Sequence, residues 1–227
     1  MQIETNGIIE GIFREEVKNR FRCVVSVDGT DKLCYISSSC RLSNFIELKN
    51  RTVLLQPNTS AVSKTKYSVF AIKGERDYIL LNLATANAVI EDQLYRRYFS
   101  FLGKRKRRQR EVTVEGYKTD IYINDTDTII EVKTILSENT EAIFPTVYSE
   151  RALKQLSIIN ELLSKGKKIC YLFVSMNPHT KKIRLNAETQ FYNEFSKCVA
   201  KGLMYKGCAI KLEDDTIKVS SAIEIIK

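Results

Sequence analysis

With 227 residues, 44% hydrophobic and 28% charged, the chain has the composition of a soluble globular protein and the length for one large domain or two small ones. No apolar stretch approaches a membrane span and the first residues, MQIETNGIIEG, lack a basic-then-apolar signal pattern, so a membrane role is excluded and a cytoplasmic protein is expected. The net charge of +9 is uneven: residues 1–100 carry +3, residues 111–227 balance, and Lys104, Arg105, Lys106, Arg107, Arg108 and Arg110 supply the remaining six charges. A cationic run this dense attracts a polyanion by counterion release, although such runs are also common as solvated loops.

Residues 1–82 read as short strands, expected at 7–13, 21–27, 33–36, 52–55, 67–72 and 78–81, with an Asp28-Gly29 turn between the second and third. Short strands at near-regular spacing suggest a small barrel. An OB-like (oligonucleotide-binding) barrel fits the length and the interleaved Arg20, Arg22, Tyr35, Arg41, Lys64, Lys66 and Tyr67. From Leu83 the period becomes helical through Leu94 and Phe99, predicting a helix to about residue 102. Strands are then expected near 111–117, 120–124 and 128–136, a helix over 150–164, a buried strand at 169–174 and a helix over 188–201. Strands at 208–212 and 217–219 close the sheet.

Helix, three strands, helix, strand is the order of a mixed sheet with helices on both faces, entered by a right-handed crossover. It matches the core of the restriction-endonuclease-like, PD-(D/E)xK, fold. The expected class is therefore α+β, with a barrel over 1–82 and a nuclease-like domain over 83–227.

The chemistry gathers in that second half. Residues 128–136 (TIIEVKTIL) form an apolar, β-branched run interrupted by Glu131 and Lys133. Strand alternation puts these two on one face, about 7 Å apart. Asp120 opens the preceding strand and reaches Glu131 if the two strands form a hairpin. A buried salt bridge alone would cost desolvation that its attraction only partly offsets. The functional alternative is a divalent metal, Mg²⁺ or Mn²⁺, held by Asp120, Glu131 and the Val132 carbonyl against a phosphodiester of DNA or RNA. Lys133 would then orient or deprotonate a water and offset charge on the phosphorane. Outer candidates are Glu91, Glu111, Glu150 and Gln155, while Arg151 and Lys154 in the first turns of the second helix could grip a phosphate. Glu150 with Lys154 also fits an ordinary i,i+4 pair. The six cysteines have no metal-ligand spacing and read as reduced and structural, and the single histidine, His179, lies in a polar turn. A homodimer is left open.

At these residues the chain resembles the sugar fermentation stimulation protein A family. The resemblance rests on Asn19-Arg20-Phe21-Arg22-Cys23-Val24-Val25, Asn82-Leu83-Ala84-Thr85-Ala86-Asn87, Lys118-Thr119-Asp120-Ile121, Ile130-Glu131-Val132-Lys133-Thr134, Phe144-Pro145 and Ser149-Glu150-Arg151-Ala152-Leu153-Lys154-Gln155-Leu156, in order along nearly the whole chain. It implies an OB-like barrel followed by a restriction-endonuclease-like domain, with nucleic-acid binding and nuclease activity. An older role implied by it is a non-catalytic DNA-binding protein regulating sugar-utilisation genes. The chain departs from the family at Ser37-Ser38-Ser39-Cys40, where an Asn-Thr-Gly turn is usual, and at Gln155, where histidine is usual.

Overall fold

The computed structural model describes residues 7–19, 21–37, 41–59 and 62–227, so Arg20 and Cys40 lie outside the described residues. Strands β1 (Ile9–Glu16), β2 (Arg22–Val27), β3 (Thr30–Tyr35), β4 (Thr52–Pro57) and β5 (Tyr67–Lys73) pair antiparallel in the order β3-β2-β1-β4-β5. A parallel bridge between Tyr35 and Ser68 joins the ends and closes a five-stranded barrel. Alternation fills its interior with Cys23, Val25, Val53, Leu55, Val69 and Ala71. The Asp28-Gly29 turn has φ positive at both residues, as a tight two-residue hairpin requires. Gly11 is needed for packing, because a Cβ there would lie 2.6 Å from Val25. Strand β6 (Tyr78–Leu80) extends the barrel sheet beyond β5.

Helix α1 (Thr85–Gln93) follows, then a 3₁₀ segment (Arg97–Leu102), β7 (Arg108–Arg110), β8 (Thr113–Val114), β9 (Tyr117–Lys118), β10 (Ile121–Ile123), β11 (Thr128–Ile135) and β12 (Glu141–Phe144). The chain finishes with α2 (Glu150–Ser164), β13 (Lys168–Ser175), β14 (Lys182–Leu185), α3 (Gln190–Ala200), β15 (Met204–Glu213) and β16 (Thr216–Ile226). Eight of these strands form one mixed sheet in the order β12-β14-β16-β15-β13-β11-β10-β7, with β11, β13 and β15 parallel at its centre. One face, through Ile129, Tyr171 and Phe173, packs on α2 and α3. The other, through Ile130, Val132, Leu172 and Val174, shares a continuous core with α1 and the barrel. The two sheets are also tied by the Leu80 amide to the Met176 carbonyl at 3.1 Å and by Asp77 to Lys211 at 3.2 Å. Among the described residues no helix is long and apolar enough to cross a membrane, and the five described cysteines are free and buried.

Three expectations need correction. The helix expected to reach residue 102 ends at Gln93. Its apolar spacing continues only as the 3₁₀ segment, because Gln93 is drawn sideways to the Val219 amide (2.9 Å) and Tyr98 to the Gly207 carbonyl (2.5 Å). The single strand expected at 111–117 is broken up: Glu111, with φ 54°, separates β7 (Arg108–Arg110), which joins the large sheet, from the short β8 at Thr113–Val114, and Glu115-Gly116 turn the chain into β9 at Tyr117. Strands β12 and β14 were not anticipated: four residues each are too few for alternation to stand out from noise.

The basic run accordingly has a structural part. The Arg105 guanidinium donates to the carbonyls of Leu94, Tyr95 (3.3 Å), Arg96 (3.0 Å) and Gly103 (2.7 Å), satisfying acceptors that the broken helix leaves over. Arg107 and Lys104 meet Asp125, Arg108 donates to the Glu91 carbonyl, and Arg110 pairs with the Glu91 carboxylate at 2.8 Å. Arg105→Ala should therefore cost about 2 kcal/mol and lower Tm by roughly 4–8 °C in thermal denaturation. Lys106→Ala, at an exposed position, should stay within about 0.5 kcal/mol of wild type.

Candidate active site

Strand β10 pairs with β11 so that Ile121 faces Ile130, and the same register carries Asp120 to the position facing Glu131. Asp120 is fixed at both oxygens. Its Oδ2 accepts from the Val132 amide at 2.8 Å and its Oδ1 from Asn87 Nδ2, on α1, at 2.9 Å. In a strand the N–H and C=O of one residue point the same way, so the Val132 carbonyl also faces the Asp120 side, where β10 has not yet begun.

Glu131 sits on the face of β11 covered by α2 and is only 3% exposed. Its Oε2 accepts from the Tyr117 hydroxyl at 2.5 Å and its Oε1 from Gln155 Nε2 at 2.8 Å. The Gln155 carbonyl oxygen in turn accepts from Lys133 Nζ at 3.4 Å, so one amide bridges carboxylate and ammonium. Local sequence explains these placements. Glu115 and Gly116, with φ of 48° and 81°, make the tight β8–β9 hairpin that carries Tyr117 beneath Glu131. Ser149 caps α2 by accepting from the Ala152 amide at 3.2 Å. That fixes the register in which Arg151 and Gln155, four apart, share a helix face.

Burial, and then the Asp120 charge, push the Glu131 carboxyl up to about 7, while Tyr117, Lys133 and Arg151 pull it back. Burial and the Glu131 charge raise the Tyr117 hydroxyl, which keeps it protonated as a donor. The floor is thus two facing carboxylates with less positive charge than they need.

A cavity of about 780 Å³ opens above them, lined by Asp120, Glu131, Val132, Lys133, Arg151 and Gln155. It lies at the carboxyl ends of β11 and β12, where α/β sheets place ligands. Ser149 and Arg151 of α2, and Thr189 and Gln190 of α3, also line it, so two helix N-termini face one space.

The structure brings Asp120, Glu131, Lys133, Gln155 and Arg151 together and sends the other candidates elsewhere. Glu91 is paired with Arg110, Glu111 with Lys118 at 2.8 Å, and Glu150 with Lys154 at 2.9 Å, none of them lining the cavity. Arg22 and Arg41 lie on the barrel, away from the lining residues. Sequence reasoning missed Asn87 and Tyr117 as site residues. Asn87 closes the Asn82–Asn87 stretch quoted above, which was its only signal; Tyr117 had none, because its place depends on a two-residue hairpin.

A closed barrel joined to a mixed, helix-covered sheet, with paired carboxylates at its strand ends, defines the class. The family model "Sugar fermentation stimulation protein RE domain" matches residues 84–216, more than half of the sequence, and the chain belongs to the sugar fermentation stimulation protein family. A homologue from Clostridium beijerinckii is 24% identical over 227 residues, 97% of this chain and 98% of that protein. One from Clostridium perfringens is 26% identical over 230 residues, with the same coverage, and one from Desulfitobacterium hafniense is 27% identical over 171 residues, 74% of this chain and 73% of that protein. The structure of Pyrococcus furiosus SfsA in complex with Ca²⁺ shares the fold, with a TM-score of 0.83 at 17% identity over 99% of this chain and 97% of that one.

The raised Glu131 pKa has a stability consequence. A folded-state carboxyl pKa of about 7 against an ordinary 4.5 means the folded protein binds the extra proton between those values, so stability falls as pH rises from 4.5 to 7. The full cost above pH 7 is about 3 kcal/mol. Metal-free Glu131→Gln should therefore melt roughly 6–12 °C above wild type at pH 8, with the difference shrinking towards zero near pH 4.5. Calorimetry across this pH range checks it.

Proposed function

We propose that the protein is a metal-dependent phosphodiesterase acting on DNA or RNA, built from an OB-like barrel and a PD-(D/E)xK-type catalytic sheet. The observation that carries the reading is the meeting of Asp120 and Glu131 across β10–β11, with Lys133 on the same face and Gln155 bridging it to Glu131. Two aligned carboxylates in a mostly buried site make a poor salt bridge and a good hard-cation seat.

The donor set fits Mg²⁺ or Mn²⁺. All donors are oxygens, from Asp120, Glu131 and the Val132 carbonyl. The present hydrogen bonds use one lone pair of each carboxylate oxygen and leave another available. Among the described residues there is no group of three His, Cys, Asp or Glu side chains that could hold a metal. An ion seated on two carboxylates and a carbonyl would complete its shell with waters and substrate phosphate. The Ca²⁺ complex of the Pyrococcus furiosus relative is in keeping with a cation at this kind of protein. A divalent ion, when bound, supplies Lewis-acid stabilisation of the scissile phosphate.

The chain's own groups do the rest. Arg151 and the α2 N-terminus hold the phosphate at the cavity rim. Tyr117 and Gln155 fix the Glu131 carboxylate, so it does not have to reorganise as charge develops. Lys133, held by Gln155, orients the attacking water and balances charge on the phosphorane.

Purified protein should cleave oligonucleotides with Mg²⁺ or Mn²⁺ and not with chelator. Asp120→Ala and Lys133→Ala should each reduce the rate by at least about 10²-fold while retaining the circular dichroism spectrum of the fold. Metal-independent cleavage, or full activity in both variants, would falsify the reading. Salt-sensitive binding with no cleavage in any metal would leave a non-catalytic nucleic-acid-binding protein.

A further inference from the structure

We infer that the site takes an unpaired nucleotide, with the base stacked at Tyr148 and its phosphate at Lys133 and Arg151, so that single-stranded rather than duplex nucleic acid is the substrate. This rests on the phosphodiesterase reading above and narrows it. The cavity that holds Asp120, Glu131, Lys133 and Arg151 is also lined by Phe45, Leu83, Ile143 and Tyr148. A site for backbone phosphate alone has no use for that apolar lining. An anionic group beside a flat apolar one is the chemistry of a nucleotide, and about 780 Å³ lies within the range of pockets that enclose small ligands.

Tyr148 and Ile143 are 76% and 54% exposed, so two large apolar side chains stand unburied in the β12–α2 region, beside the charged floor. Bases stack on such aromatic faces when they are out of the duplex. In a duplex each base is stacked on its neighbours and only the backbone is presented. Glu131, at 3% exposure, lies at the floor of this cavity rather than on an open surface, which an unpaired, flexible strand enters more readily than a stacked helix. Phe45 and Leu83 come from outside the β11–α2 framework, Phe45 from the barrel half, so both halves of the chain contribute to the cavity wall. DNA and RNA share the features invoked here.

Binding is read by 2-aminopurine fluorescence with full-length protein in Ca²⁺, using a single-stranded DNA, the same sequence as RNA, and a blunt DNA duplex, each carrying the probe base. The single strands should be quenched on binding and the duplex should not. Tyr148→Ala should weaken single-strand Kd about tenfold and abolish the quench, and Tyr148→Phe should restore both. Tyr148 is exposed, so neither variant threatens the fold. Duplex binding as tight as single-strand binding, or an unchanged quench in Tyr148→Ala, overturns the inference. A protein that binds strands in this way yet cleaves none keeps this inference and loses the hydrolytic reading. One that cleaves blunt duplex internally as fast as single strand keeps the hydrolytic reading and loses this one.

Discussion

Two carboxylates forced to face each other are the constraint around which the second half of this protein is arranged. Asp120 and Glu131 meet because β10 and β11 pair with Ile121 opposite Ile130, and neither carboxylate can turn away. Asp120 is held by the Val132 amide and Asn87, Glu131 by Tyr117 and Gln155. Each donor comes from a different element: β11 itself, α1, the β8–β9 hairpin and α2. These donors only partly offset the cost of burial and the nearby Asp120 charge, which is why Glu131 is pushed up to about 7. Such a site is destabilising for the fold alone, because burial and the facing charge both oppose ionisation of Glu131.

The surrounding architecture converges on the same place. The parallel strands deliver their carboxyl ends to one edge, and α2 and α3 bring two positive helix termini to it. Arg151 and Gln155 show how economically this is done. One helix face, set in register by the Ser149 cap, supplies a cation to the cavity wall and an amide to the floor. Gln155 is a neutral amide at a position where the resemblance implies histidine. A neutral amide can donate to Glu131 and accept from Lys133 at any pH, whereas an imidazole would couple that bridge to its own titration.

Much of this was legible in the residues because strand periodicity is strict. Glu131 and Lys133 had to share a face once 128–136 was a strand, and α2 was legible over 150–164 from the apolar spacing of Leu153, Leu156, Ile159, Leu162 and Leu163 and from Gly166 after it. The barrel strands were legible for the same reason, with the Asp28-Gly29 turn fixing one hairpin. What escaped was decided by tertiary contacts. Nothing local in Leu94–Arg96 ends a helix; the break exists because Arg105 collects the exposed carbonyls and Gln93 is bonded to β16. Tyr117 reaches Glu131 only because Glu111 and Glu115 take left-handed conformations, which non-glycine residues seldom reveal in advance.

The basic run shows why charge counted along a sequence misleads about where that charge acts. Arg107 and Lys104 converge on Asp125, whose side chain is 1% exposed, Arg110 engages Glu91, and Arg105 caps backbone carbonyls. These charges act over a few ångströms on partners within the fold. Beyond a Debye length they contribute only a screened background. The cations that face the cavity, Lys133 and Arg151, come from stretches whose net charge is near zero. The excess of nine positive charges is thus spread over the molecule, while the cavity itself is lined by two cations. The charge that dominates the sequence count and the charge at the cavity are therefore carried by separate residues, the first tied up in local pairs and the second placed by the register of β11 and α2.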